Sequence, residues 1–173
     1  MRKKQGNSSD GNEELSVVSD STVIIALARV RRLDLLEKLF GEILVPEAVW
    51  REVTVRSKPG SEKIRVAGFI HVRKVRNKRL VSLLREFVDE GEAEAIALAL
   101  EANTNLLLVD DRDARSLAKK LGLQVMGTLG VIALAKYNGL VLEAKPIIDE
   151  LVEKGFWISK RILEEFLKEL GEL

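Results

Sequence analysis

The sequence predicts one α/β domain, an α/β/α sandwich with a central, mostly parallel sheet and extra helices at its C-terminal end. Two observations carry this prediction. Apolar runs of strand length alternate along the chain with longer segments of helical periodicity, the pattern of a sheet covered by crossover helices. The run Leu106–Val109 is apolar at every position, as a parallel strand buried on both faces requires. At 173 residues the chain can build one substantial core and is short for two full domains.

The elements follow in order. Residues 1–14 are polar, lack apolar periodicity and read as a disordered tail ahead of a domain over 15–173. A strand over Leu15–Ser19 ends at Asp20. Ser21 or Thr22 is placed to cap a helix carrying Val23, Ile24, Ala26, Leu27 and Val30. A second helix buries Leu33, Leu36, Leu39 and Phe40. Glu42–Val45 reads as a short strand, and Pro46 suits the first turn of a helix over Glu47–Val53. Ser61–Ala67 is helical, Phe69–Val75 a strand, and Arg79–Asp89 helical again. Gly91 is expected to separate that helix from the Ala-rich helix Glu92–Ala102. Leu106–Val109 then leads to Asp110-Asp111, a helix over Asp113–Leu121 and a last strand, Leu123–Met126. Leu129–Tyr137, Glu143–Lys154 and Lys160–Leu170 form a C-terminal helical segment over about 127–173, broken at Gly139 and Gly155, with Ser159 as an N-cap.

Composition removes whole classes of chemistry. Without cysteine there is no disulfide, thiol nucleophile or Cys-ligated zinc. The single histidine, His71, cannot form a two-histidine metal site, and its strand-like surroundings give it a structural or surface role. No apolar run is long enough to span a bilayer, and the polar N-terminus lacks the apolar stretch of a secretory signal. The expected setting is therefore cytoplasmic, with no membrane partner. Scarce Asn and Gln beside abundant Lys, Arg and Glu fit a thermophile's composition.

A net charge of +1 gives the whole molecule no nucleic-acid footprint. Only Arg73–Arg79 is densely basic. It reads as a solvated charge run unless it lies beside an acidic centre, where it would meet phosphates. Trp50 and Trp157 fall in helical or apolar contexts, so burial in the core or at an interface is expected ahead of base stacking. Gly127-Thr128-Leu129-Gly130 lacks the spacing of a phosphate-binding loop.

Two strand ends deliver carboxylates. Asp20 follows Val17-Val18-Ser19, and Asp110-Asp111 follows Leu107-Leu108-Val109. Carboxyl ends of strands in an open α/β sheet face the crevice where ligands bind, so these acids are expected to converge. Glu52 and Glu92 lie on helices beside apolar residues and are further candidates. Clustered carboxylates repel unless a cation neutralises them, and hard divalent ions take oxygen ligands. Such an ion lowers the pKa of bound water and stabilises charge in attack on a phosphodiester. With neither His pairs nor Cys available, this is the hydrolysis these residues suit best.

Asp after the first strand, Glu in Pro46–Val53, Glu opening an Ala-rich helix and Asp after the next strand resemble PIN-domain nucleases. The version here is similar to the DUF3368 branch, relatives of VapC-type toxin ribonucleases. The matching stretches are Val18-Ser19-Asp20-Ser21, Pro46–Val53, Gly91–Ala99 and the run Gly127–Ile132 continuing through Ala135-Lys136 and Gly139-Leu140 to Pro146. The resemblance implies a PIN-like fold and a metal-dependent endoribonuclease that cleaves single-stranded RNA with Mg²⁺ or Mn²⁺. It further implies the toxin of a toxin–antitoxin pair, an antitoxin protein as partner, and a homodimer. Carried over by position, the catalytic set is Asp20, Glu52, Glu92 and Asp110, with Asp20, Glu92, Asp110 and Asp111 as candidate metal ligands. Glu94 competes with Glu92, whose spacing to Ala99 and Asp110 matches the family's helical acid. Asp111 and Asp113 compete with Asp110, which ends the apolar run. Glu94 and Asp113 otherwise read as surface charges or caps, and a hydroxyl of Ser21 or Thr22 is placed to touch metal-bound water or phosphate.

Three other readings compete. A PIN fold that holds RNA or a protein without cutting would keep the architecture and lose the metal response. A helix–turn–helix after Gly127 would read DNA, but those helices lack a basic stripe. A dehalogenase-type site also places Asp after the first strand, yet Asp20-Ser21-Thr22 lacks its second aspartate.

Overall fold

The computed structural model describes residues 16–173; the expected tail and Leu15 lie outside the described residues. Five strands, β1 (Val17–Ser19), β2 (Ile43–Val45), β3 (Ile70–Val72), β4 (Leu106–Leu108) and β5 (Gln124–Met126), form one sheet. All pairings are parallel, in the order β3-β2-β1-β4-β5. The chain builds outward from β1 through β2 to β3. It then returns to lay β4 on the other side of β1, with Ser19 opposite Leu108. This reversal makes the gap beyond the carboxyl ends of β1 and β4 the switch point of the sheet.

Period-2 alternation sends successive strand residues to opposite faces. Val17, Ile43, Val45 and Leu108 enter one core with α1 (Ser21–Arg29), α2 (Asp34–Phe40), α3 (Glu47–Val53), α4 (Ser61–Arg65), α8 (Thr128–Tyr137), α9 (Lys145–Glu153) and α10 (Lys160–Glu169). Val18, Leu44, Leu107 and Val109 enter the other with α5 (Lys78–Leu84), α6 (Glu90–Glu101) and α7 (Arg112–Lys120). The central strands β1, β2 and β4 are thus buried on both sides, which is why they read as largely apolar runs. Val131, Ile132, Ile148, Leu151 and Leu167 of the C-terminal helices belong to the same core as β1.

Most boundaries fall within a few residues of expectation, and three departures have physical causes. Gly91 does not separate two helices: it lies inside the first turn of α6, which begins at Glu90. The helix expected over Arg79–Asp89 ends at Leu84, and Asp89 instead caps α6, closing a capping box with Glu92. In it Asp89 Oδ1 accepts from the Glu92 N–H at 2.8 Å, and Glu92 Oε2 accepts from the Asp89 N–H at 3.1 Å. Helix α7 starts at Arg112, one residue early, because Asp111 accepts from the Ala114 N–H at 2.9 Å and caps it.

The basic segment does not flank the switch point. Arg73 continues the β3–β2 ladder, but the N–H groups of Arg76 and Asn77 donate to the Glu101 carboxylate at the C-terminal end of α6. Nine residues of helix, about 13 Å, separate Glu101 from Glu92. The segment reads as a solvated charge run. His71 is exposed on β3, 3.4 Å from Glu42, in keeping with a surface role.

Candidate active site at the switch point

Asp20 is delivered by β1 and held by the helix that follows. Its N–H donates to the Leu108 carbonyl at 2.9 Å, which ties the end of β1 to the end of β4. Its carboxylate, not Ser21 or Thr22, caps α1 by accepting from the Val23 N–H at 3.3 Å. The Thr22 hydroxyl donates to both carboxylate oxygens, at 2.9 and 2.8 Å. Asp20 is only 2% exposed. Burial pushes its carboxyl up from an ordinary 3.8 to about 7, and the negative charges of Asp110 and Glu92 push the same way against the Thr22 and Val23 hydrogen bonds.

Asp110 stands on the neighbouring strand end and is gripped by the start of α8. The Thr128 N–H donates to its Oδ1 at 2.7 Å and the Thr128 hydroxyl to its Oδ2 at 2.6 Å. Thr128 itself is fully buried. The approach is close enough that a Cβ on Gly127 would lie 2.7 Å from Asp110 Oδ1, so any other residue there would push the Asp110 carboxylate from its place. Sequence reasoning missed Thr128. Its position at the opening of a helix directly after a strand, where hydroxyls and free N–H groups gather, was the available signal.

Two glutamates complete the acidic ring, and a third does something else. Glu92 is half-buried; burial, then the charges of Asp89, Asp111 and Glu52, push it up to about 7 against the Asp89 N–H bond. Glu52 lies on α3, half-buried, with Lys58 3.6 Å away. Glu94 is neither a surface charge nor turned into this ring. It is 8% exposed, and its Oε2 accepts from the Ala48 N–H at 2.8 Å, capping α3 from a neighbouring helix. Asp113 is exposed in the first turn of α7. Trp50 packs against the core as expected, whereas Trp157 is 82% exposed and not in the core.

Asp20 therefore feels the charges of Asp110 and Glu92, and Glu92 those of Asp89, Asp111 and Glu52. The acids gather at the crevice where β1 and β4 part. A family described as DUF3368: PIN domain matches residues 16–172, nearly all of the chain. The chain belongs to the PIN-domain family. No curated protein matches it. PIN domains have a nuclease-type fold, and PIN nucleases generally act on nucleic acid with divalent metals. No helix among the described residues is long and apolar enough to cross a membrane.

The donor chemistry of this PIN domain fits a hard divalent cation. The acids are all oxygen donors, and a cation would offset the burial and mutual repulsion that raise Asp20 and Glu92. The side chains are not closed around an ion. Among the described residues no three acidic or imidazole groups stand together as a ready ligand set. Thr22, Thr128 and Asp89 instead hold oxygens of Asp20, Asp110 and Glu92.

Proposed function

We propose that this PIN domain is a metal-dependent endoribonuclease cleaving single-stranded RNA, the toxin of a toxin–antitoxin pair, with its centre at Asp20. The observation that carries the reading is a nearly inaccessible carboxylate at the switch point, destabilised by burial and by two further acids, with no cationic side chain in contact with it among the described residues. Asp20, Asp110 and Glu92 would hold Mg²⁺ or Mn²⁺, with Asp111 and Glu52 at the margin. The ion supplies an activated water and charge stabilisation for phosphodiester hydrolysis. Thr22 and Thr128 fix the orientation of the two aspartates. The antitoxin and the homodimer follow from the family resemblance alone.

The test is cleavage of single-stranded RNA in Mg²⁺ or Mn²⁺. Asp20→Ala and Asp110→Asn should each abolish it while far-UV circular dichroism stays native. Undiminished cleavage by both variants would sink the assignment.

The absence of a ready three-acid ligand set among the described residues favours one other reading, a PIN fold that binds nucleic acid or protein without cutting. The two separate on metal titration. The nuclease gains thermal stability with Mn²⁺, and a module without a metal site gains none.

A further inference from the structure

A cleft of about 330 Å³ opens beside the acidic site, with Asp110 and Thr22 in its wall. Ile25 and Arg29 of α1 line one side, and Phe156 and Trp157 line the other. The last two are placed by the end of α9. Gly155, at φ +96°, forms a left-handed cap in which its N–H donates to the Val152 carbonyl at 3.0 Å, and the Phe156 N–H to the Leu151 carbonyl at 2.9 Å. This turn tucks Phe156 against the core beside Leu151 and leaves the next residue, Trp157, 82% exposed.

An indole in solvent contributes little to the fold, yet this one shares a cleft with Asp110. The cleft also carries a cation. The Lys154 ammonium is engaged by the Arg29 carbonyl at 2.7 Å and by Glu150 at 2.8 Å. The Arg29 guanidinium is in no ion pair among the described residues. A flat aromatic face, an apolar wall and an unpaired guanidinium complement a nucleobase and its phosphate, and the cleft runs into the acidic site.

We propose that this cleft is a nucleobase subsite, in which a base flanking the cleaved phosphodiester stacks on Trp157 and Arg29 meets the adjoining phosphate. The inference rests on the nuclease reading of the acidic site and adds to it the residue that grips single-stranded substrate. Stacking tolerates any base, so Trp157 confers preference for single strands over duplex rather than for a sequence.

The experiment uses the full chain and a fluorescein-labelled single-stranded RNA of about twelve nucleotides, within the span of stacking-type sites. Binding is read in an Asp20→Asn background by anisotropy and tryptophan fluorescence, and cleavage in the otherwise wild-type chain with Mn²⁺. Trp157→Ala should weaken binding roughly 5- to 150-fold, the range for one stacked base. It should raise KM with kcat held and leave Tm unchanged. Trp157→Phe should keep most of the affinity but remove the quench, since Trp50 is then the sole indole. RNA quenching that depends on Trp157, in a chain that never cleaves, would uphold the subsite and remove the nuclease reading. Cleavage with wild-type KM in Trp157→Ala would overturn the subsite and leave the nuclease standing. A Trp157→Ala chain that keeps its RNA affinity but changes its oligomeric state would also overturn it, since Trp157 would then serve a protein interface.

Discussion

Replacing Asp20 by Asn should make the metal-free protein more stable while removing its activity. Asp20 is 2% exposed, and its carboxyl is pushed up from 3.8 to about 7, mainly by burial and then by Asp110 and Glu92. At about 1.36 kcal/mol per unit of pKa, ionising this group in the folded chain costs on the order of 4 kcal/mol relative to the unfolded chain. Between pH 4 and 7 the folded carboxyl keeps its proton while the unfolded one has lost it. The unfolded state then binds fewer protons, so stability falls as pH rises through that window and levels off above it. Glu92, also raised to about 7, acts with the same sign. Asp34, Glu150 and Glu172 are shifted down, so their contributions are lost only in more acid solution and leave pH 5 to 8 to the site.

Asn keeps the shape of Asp and an oxygen that accepts from Thr22 and the Val23 N–H, but carries no charge. Allowing for weaker hydrogen bonds, about 1–3 kcal/mol of the cost should be recovered at pH 8. For a domain of this size that corresponds to a Tm rise of roughly 2–12 °C. Thermal unfolding at pH 5 and pH 8, in EDTA and in Mn²⁺, reads it directly. The Asp20→Asn variant should exceed wild type at pH 8 in EDTA and lose that advantage at pH 5. Mn²⁺ should stabilise wild type and leave the variant unmoved. The reasoning fails if wild type is equally stable at both pH values, or if the variant is the less stable of the two at pH 8 in EDTA.

Three further outcomes follow from the same geometry. Thr128→Val removes the 2.6 Å hydroxyl bond to Asp110 and should reduce cleavage about 10- to 100-fold, as losing a ligand's orienting partner usually does, with Mn²⁺ affinity falling in parallel. Glu94→Ala and Glu92→Ala should separate a cap from a site residue. The first leaves the Ala48 N–H without its buried acceptor and should cost about 1–3 kcal/mol in urea unfolding, and the second should abolish cleavage at little cost in stability. Gly127→Ala places a Cβ 2.7 Å from Asp110 Oδ1 and should impair both folding and cleavage, detectable as a lowered Tm and lost turnover.

The fold was legible because the central strands β1, β2 and β4 are short, mostly apolar and buried on both faces, and the crossovers carry helical patterns. Asp20 and Asp110 were legible as site candidates for a topological reason: both end strands, and such a sheet opens its crevice there. What failed was local. Gly91 read as a helix break because glycine is a poor helix residue, but the Asp89–Glu92 capping box outweighs it and starts the helix before it. Glu94 read as a surface charge or a cap, and it is a cap, but nothing in its own helix shows that the N–H it meets is that of Ala48, across the packing interface. Trp157 read as buried in the core or at an interface because apolar residues surround it in sequence; it is not in the core, because Gly155 turns the chain so that Phe156 takes the buried place.

Helix caps and site acids proved hard to tell apart because here many residues are both. Asp20 caps α1, Glu92 closes the box on α6, Asp111 caps α7, and Asp110 receives the first N–H of α8, while Glu94 caps α3 and does nothing else. Parallel topology forces this coincidence. The helices that directly follow β1, β2, β4 and β5 start at those strands' carboxyl ends, so the positive ends of α1, α3, α7 and α8 gather at the crevice, and α6 starts there because it must run back to begin β4. Helix N-termini favour nearby carboxylates and supply N–H donors. Such acids can therefore fold before any cation arrives, Asp20, Glu92, Asp110 and Asp111 each accepting from a backbone N–H. The compensation is least complete at Asp20, whose one capping bond is long at 3.3 Å and whose carboxyl still rises to about 7. That is where an arriving cation would gain most, and where removing the charge should release most.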